Sequence, residues 1–217
     1  MKFIGIDLAG SPTRPTGFCL ADSKMRVECK LLYTDKEILE AVKLAPAKIV
    51  AIDAPLALPK GRHCLNEHCR GRAHFRTCDR VLSRMRIRGF PITIGPMRML
   101  TTRGIRLSKR LRQLRVEAIE TFPGAAQDIL GIPRKQVSLV ELQRALAGLC
   151  TGDVVERKLT GDELDAIKCA LVARDYAAGS YLAIGDPSEI LMIVPRPNSQ
   201  GTHQETHSRI RSRFQNG

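Results

Sequence analysis

Short apolar runs that end in an acid or a turn alternate along the chain with longer segments of helical spacing. The runs KFIGID, GFCLAD and RVECKLLY are separated by turn residues and predict an opening β-meander. DKEILEAVKLA has apolar residues at helical spacing, with Asp35 placed to cap its start, and KIVAIDAPLAL then predicts a buried strand. This alternation predicts an α/β domain.

The second half of the chain continues the pattern. AIETFPG predicts another strand, SLVELQRALAGLC a helix, and DELDAIKCALVARDYAAG a longer helix that is largely buried. YLAIGD and EILMIVP predict a final strand pair around the turn from Asp186 to Glu189. The sequence from Arg196 is polar, so we expect one domain over residues 1–195 and a disordered tail over residues 196–217.

Size and composition narrow the class of protein. A chain of 217 residues, 43% of them hydrophobic, can bury one sizeable core. It has no apolar run long enough for a membrane helix and no signal-peptide pattern at its start, so a cytoplasmic protein is expected. Seven cysteines without such a signal favour reduced thiols or metal ligands over a disulfide scaffold.

Positive charge is concentrated in the middle of the chain. The formal net charge is +13, and residues 60–115, the basic segment, hold 16 Lys and Arg against two acids, leaving 19 basic and 20 acidic residues elsewhere. The segment lacks a clean apolar period, although Leu107 to Val116 predict a polar helix, and we interpret it as an insertion.

A solvated surface would explain a charge run, but such surfaces usually mix both signs. The unmixed charge therefore predicts a polyanionic partner, in particular nucleic acid. The arginines expected to contact it are Arg76, Arg80, Arg84, Arg86 and Arg88.

Two aspartates occupy matching places at strand ends. Asp7 in GIDLAG and Asp53 in AIDAPL each follow an apolar run that is typical of a buried strand. Either acid alone could cap a turn, because Gly10 follows one and Pro55 the other. A pair of desolvated carboxylates, however, is stabilised by a shared cation.

The long late helix adds further acids. Asp162 and Asp165 are three residues apart and share the face that carries Cys169, which predicts that both point toward the sheet. Asp162 could serve the helix dipole, whereas Asp165 lies deeper, and Glu163 fits a capping box. Glu120, at another strand end, is a reserve ligand or a residue of a solvated edge.

Oxygen ligands without dedicated histidines favour Mg²⁺ or Mn²⁺. Two such ions can position a water nucleophile and stabilise the leaving oxygen of a phosphodiester. The acids Asp7, Asp53, Asp165, Asp162 and Glu120 are therefore the candidate catalytic residues, and the first three are the candidate metal ligands.

The order of these motifs resembles the ribonuclease-H-like superfamily, particularly junction-resolvase relatives. More closely, GIDLAG, AIDAPL, CDR at 78 to 80, ETFPGAA and GDELDAIKCAL resemble domain-of-unknown-function family four-two-nine, described as predicted nucleases of that fold. The resemblance covers roughly residues 1 to 195. It implies a mixed sheet flanked by helices, Mg²⁺ bound by Asp7, Asp53 and Asp165, and a homodimer as an open alternative. Asp53 departs from resolvase-like enzymes, which usually have Glu there.

Histidines and cysteines cluster in the basic segment. His63, Cys64, His68, Cys69, His74 and Cys78 fall within sixteen residues, and Cys64, Cys69, His74 and Cys78 could form a structural Zn²⁺ site. Reduced, unligated thiols are the alternative, because no paired CxxC motif is present.

The sequence therefore predicts a metal-dependent nuclease that acts through a two-metal carboxylate mechanism. A nucleic-acid-binding protein that retains the fold without turnover is the alternative. A nucleotide-binding phosphotransferase ranks behind both: DLAGS resembles a phosphate loop, but no internal repeat supplies a second one.

Overall fold

One mixed sheet forms the centre of the protein. The computed structural model describes residues 1–66 and 68–197. Its eight strands within these residues are β1 (Lys2–Asp7), β2 (Thr16–Asp22), β3 (Arg26–Leu32), β4 (Ala47–Asp53), β5 (Glu117–Thr121), β6 (Thr151–Gly152), β7 (Tyr181–Ile184) and β8 (Met192–Pro195). They lie in the order β6-β3-β2-β1-β4-β5-β8-β7.

Strand directions divide the sheet into two parts. β1, β2 and β3 form the antiparallel meander, whereas β4 runs parallel to β1, β5 to β4 and β8 to β5. The edge strand β7 is antiparallel to β8, as predicted for the final pair. The predicted α/β class is thus confirmed, as is the mixed sheet flanked by helices that the family resemblance implied.

Helices cover both faces of the sheet. They are α1 (Asp35–Leu44), α2 (Thr77–Arg84), α3 (Gly95–Gln113), α4 (Pro123–Leu130), α5 (Leu139–Ala147), α6 (Asp153–Glu156) and α7 (Gly161–Ala177). α1 and α3 pack on the face that presents Ile4, Ile6 and Ile52. α7 packs on the opposite face, so the two faces of the sheet have separate cores.

The first helix is capped one residue earlier than predicted. The Thr34 side chain accepts a hydrogen bond from the Glu37 backbone N–H, and the Glu37 carboxylate accepts one from the Thr34 backbone N–H, which forms a capping box. Asp35 instead accepts from Arg103 Nε at 2.7 Å. Both Thr and Asp are good capping residues. Here Thr34 is the cap, while Asp35 forms an ion pair with Arg103 of α3.

The basic segment contributes the helical connection between β4 and β5. The helix predicted at Leu107 to Val116 in fact begins at Gly95 and ends at Gln113. Leu107 and Leu111 are fully buried against the sheet, while the arginines of the helix mostly face solvent. The prediction was too short because only the last turns carry a clear apolar period.

Two glycines allow α7 to lie unusually close to the sheet. A Cβ at Gly5 of β1 would stand 2.0 Å from the Ala166 carbonyl oxygen, and one at Gly17 of β2 would stand 2.0 Å from that of Asp162. Eleven residues of α7 are buried, and the predicted capping box at its start, Thr160 with Glu163, is confirmed. The first turns of this helix are therefore fixed against the ends of β1 and β2.

Within residues 1–66 and 68–197, none of the helices combines the length and hydrophobicity that crossing a bilayer requires. The predicted disordered tail, residues 196–217, lies outside the described residues from position 198 onward.

Candidate functional site

Asp7 and Asp53 stand next to each other at the carboxyl ends of the two central parallel strands. They are direct register partners between β1 and β4. Side chains alternate along a strand, and Ala51, two residues before Asp53, packs in the core under α7. Both carboxylates therefore lie on the α7 face of the sheet.

Asp165 reaches the same place from the first turns of α7. Its side chain is buried and contacts two cations: Lys135 donates a hydrogen bond to Oδ2, and Lys168 forms an ion pair with Oδ1. Lys168 is itself completely buried, whereas Lys135 is partly exposed. The three predicted metal ligands thus converge, and two lysines that were not predicted join them.

Electrostatics at this cluster favour a cation. Burial, together with the charge of Asp165, raises the pKa of Asp7 to about 7. Burial and the charges of Asp7 and Asp165 raise the pKa of Asp53 well above its ordinary value. Burial lowers the pKa of Lys168 despite its contact with Asp165. Burial and the neighbouring aspartates thus disfavour the ionised form of Asp7 and Asp53 despite the two lysines, and a bound metal ion would favour that form.

The two remaining predicted acids have different positions. Asp162 is close enough to the cluster to raise the pKa of Asp7, although it lies at the helix start as the dipole argument also expects. Glu120 is register partner of Ile52, so it faces the opposite side of the sheet. There it accepts hydrogen bonds from Arg76 at 2.5 and 2.6 Å, and the structure keeps it apart from Asp7.

The prediction that Arg76 contacts nucleic acid is wrong. Its side chain is only 1% exposed and is held by Glu120 and by Asp79, 3.1 Å away. Burial works against a charged guanidinium, but Glu120 and Asp79 together raise the pKa of Arg76. Asp79, the acid of the CDR motif, therefore helps to hold a structural ion-pair cluster.

Other arginines of the basic segment are also structural. Arg62 donates hydrogen bonds to four backbone carbonyls of its own loop, and Arg103 donates to the Ala9 and Tyr33 carbonyls as well as to Asp35. The predicted contact residues that remain exposed are Arg80, Arg84, Arg86 and Arg88. The positive surface is thus smaller than the charge count suggests.

The structure does not gather the four residues of the zinc prediction. Cys78 is completely buried among apolar side chains, which raises the pKa of its thiol. His74 Nδ1 lies 2.6 Å from the Thr93 hydroxyl. Cys64 and Cys69 are close to each other, and backbone N–H groups of His63 and Cys64 lower the pKa of Cys69 to about 6. Cys78 is packed in an apolar cluster, so in this structure it is not positioned to join the other three residues around one Zn²⁺ ion.

Among the described residues, no three His, Cys, Asp or Glu side chains are already arranged to hold a metal ion. The donors at the Asp7 cluster nevertheless fit Mg²⁺ or Mn²⁺ in their chemistry, because they are hard carboxylate oxygens, and burial together with mutual repulsion raises the pKa values of Asp7 and Asp53. The contacts of Lys135 and Lys168 occupy Asp165. Metal binding by all three acids therefore requires Asp165 to exchange a lysine for the ion.

Sequence reasoning missed both lysines. Lys168 follows Asp165 by three residues, so the helical spacing that grouped the acids could also have placed this lysine on their face. Lys135 lies in the connection between α4 and α5, where no periodic pattern indicates direction. Only the folded chain brings it to Asp165.

These features define an α/β protein with an acidic cluster at the carboxyl edge of its central parallel strands. The chain belongs to the family described as protein of unknown function (DUF429), whose sequence profile matches residues 5–190. The family resemblance identified from the motifs is therefore confirmed.

Among solved structures, the chain is similar to the structure of RuvC from Thermus thermophilus. The identity is 15% and the TM-score 0.44, with 82% of this chain and 97% of that chain covered. No curated protein matches the chain.

Proposed function

We propose that this protein is a nuclease that hydrolyses phosphodiester bonds of nucleic acid with Mg²⁺ or Mn²⁺. The observation that carries the proposal is the placement of Asp7 and Asp53 side by side at the ends of β1 and β4, with Asp165 facing them from α7. Paired carboxylates with raised pKa values at one strand edge are typical of functional sites.

Asp7 and Asp53 would hold the ion, and Asp165 would join them on leaving its lysines. When bound, the metal supplies charge stabilisation and an activated water for attack on a phosphodiester. The residues of this chain hold the carboxylates in place, because Gly5 and Gly17 let α7 approach the sheet closely. Lys135, which is partly exposed beside Asp165, can donate to a phosphate oxygen of the substrate.

The exposed arginines Arg80, Arg84, Arg86 and Arg88 supply the positive surface for a polyanion. They lie in the connection that follows β4, the strand that ends at Asp53. The arginines that would bind the substrate therefore follow Asp53, a candidate catalytic acid, along the chain.

A second candidate is a nucleic-acid-binding protein without turnover. The observation that favours it is the contact of both lysines with Asp165, which neutralises that acid without a metal ion. In this alternative the lysines are permanent partners and the basic surface alone defines the activity.

One assay separates the two functions. The purified protein is incubated with Mg²⁺ or Mn²⁺ and a panel of single-stranded, duplex, hybrid and branched substrates, beside Asp7→Asn as the inactive control. The nuclease proposal expects cleavage by the wild type and none by Asp7→Asn, with binding of the substrate retained in both. Absence of cleavage across the whole panel, with intact binding, would favour the second candidate.

A further inference from the structure

A small cavity lies beside the candidate carboxylate cluster. Its volume is about 170 Å³, and Asp53, Thr121 and Glu120 line it at the ends of β4 and β5. Phe90 and Ile92 of the basic segment also line it. The cavity thus connects the candidate catalytic edge with the segment that carries the surplus positive charge.

One residue that lines the cavity has a polar group without a partner. Thr121 is 2% exposed, and its buried hydroxyl has no hydrogen-bond partner among residues 1–66 and 68–197. A buried hydroxyl without a partner costs free energy, and each such group in a folded protein calls for an explanation. The neighbouring Arg76 and Glu120 already satisfy each other, so they do not provide one.

An exposed aromatic ring lies at the cavity wall. Phe90 is 68% exposed, although a phenylalanine is usually buried. Arg86 and Arg88 precede it and are also exposed. An aromatic ring among exposed arginines is the arrangement that proteins use to bind unpaired bases, with the ring stacking on a base and the arginines contacting phosphates.

The size of the cavity limits its occupant. A cavity of roughly 150 Å³ holds one benzene ring, so this one holds a single planar ring system rather than a larger ligand. Its lining includes the apolar residues Phe90, Ile92 and Met97, and also Thr121, whose hydroxyl is able to donate and to accept a hydrogen bond.

We propose that this cavity receives one unpaired nucleobase of the substrate strand, with Phe90 stacking on the base and the Thr121 hydroxyl bonding to its edge. The inference rests on the proposed function and names its substrate class. A base inside a duplex cannot enter the cavity unless it leaves its stack. The substrate is therefore a single strand, or a duplex with an unpaired nucleotide next to the bond that is cleaved.

The test is a binding measurement that does not depend on turnover. Fluorescence anisotropy follows a labelled oligodeoxythymidine strand, its RNA counterpart, and the same strands in a duplex, all in EDTA with the full-length protein. Phe90→Ala is expected to lower the affinity for the single strands roughly 5- to 150-fold and to leave the duplex affinity within about twofold. Phe75→Ala is the matched control, because Phe75 is an exposed aromatic of the same segment outside the cavity lining.

Thr121→Val provides a second, nearly isosteric variant. It removes the unpartnered hydroxyl without enlarging the cavity, so the fold is retained and single-strand affinity is expected to fall roughly 2- to 10-fold. An equal loss of single-strand and duplex affinity in Phe90→Ala, or no loss in either variant, would overturn the base-binding proposal. If the base-binding proposal is overturned but the wild type cleaves, the nuclease proposal still stands. If the variants show the expected binding losses but no substrate is cleaved, base binding stands and the nuclease proposal fails.

Discussion

Lys168 lies against the carboxylate of Asp165, one turn away on α7, and both side chains are buried. Among the described residues, neither the Lys168 amine nor the Oδ1 atom of Asp165 has a hydrogen-bond partner. Lys168 therefore depends on Asp165 for its counter-charge, whereas Asp165 also contacts Lys135. A metal ion at the neighbouring acids would compete with this lysine for Asp165.

Lys168→Met tests that competition. Removing one member of a buried ion pair typically costs about 3–5 kcal/mol. Because Lys135 still contacts Asp165, the free energy of unfolding in EDTA is expected to fall by no more than that amount. Mg²⁺ or Mn²⁺ should restore part of the loss, because the ion replaces the missing positive charge. Urea denaturation with and without metal measures both values. Lys158→Met, at an exposed position, is the control; a loss that metal does not change would contradict the competition.

The raised pKa of Asp7 predicts how stability depends on pH. The carboxyl titrates near 7 in the folded protein and near 3.8 when exposed. Between these values the folded state binds more protons than the unfolded chain, so the free energy of unfolding falls as pH rises from about 4 to 7. The stability that protonated Asp7 contributes is fully present below pH 3.8 and is lost above about pH 7.

Denaturation in EDTA across this pH range measures the slope. We expect Asp7→Asn to flatten it, with a change on the order of 1–3 kcal/mol between the two ends. Asp186→Asn serves as the control. Hydrogen bonds from Ser188 lower the pKa of Asp186, so its contribution to the pH dependence of stability lies below about pH 4, outside this range. An unchanged slope in Asp7→Asn would mean that this carboxyl is ionised throughout the range.

Arg76 and Arg80 are expected to respond in opposite ways to substitution. Arg76→Met leaves Glu120 buried without its partner and should cost about 3–5 kcal/mol of stability. Arg80→Met changes an exposed position, so stability should stay within about 0.5 kcal/mol. Nucleic-acid affinity should instead weaken, with the slope of log affinity against log salt reduced by about 0.9 for one lost phosphate contact. A stable Arg76→Met protein would contradict the structural role of this arginine.

Gly5→Ala tests the close approach of α7 to β1. The added methyl group would overlap the Ala166 carbonyl, so the helix must shift away from the sheet. We expect a loss of at least about 1–3 kcal/mol, as for other overpacked cores, and weaker metal binding measured by titration calorimetry. Gly95→Ala, where the added methyl meets no atom within 4 Å, is the control and should be nearly neutral.

Local patterns predicted the strands and the late helix because their information lies in a few neighbouring residues. The meander, the final strand pair and the Thr160 to Glu163 capping box all have this origin. The convergence of Asp7 and Asp53 was also predictable, since matching ends of buried strands meet when the strands pair in parallel.

The partners of charged residues were less predictable. In the sequence, Arg76 resembles the other arginines of its segment. Only the folded chain shows that its guanidinium forms an ion pair with Glu120 of a distant strand. The same holds for Lys135 and Asp165, and for Cys78, whose burial beside Leu82 removes it from the other cysteines. Pairing of this kind depends on tertiary contacts that no local period encodes.

The close contact of β1 with α7 also has a consequence for biosynthesis. β1 is made before α7, with all the intervening elements of the sheet between them, so Asp165 reaches Asp7 only after α7 has left the ribosome. Until then the nascent chain presents its arginines without the complete acidic cluster. Any activity that needs all three carboxylates therefore begins only after α7 has been made and has packed on the sheet.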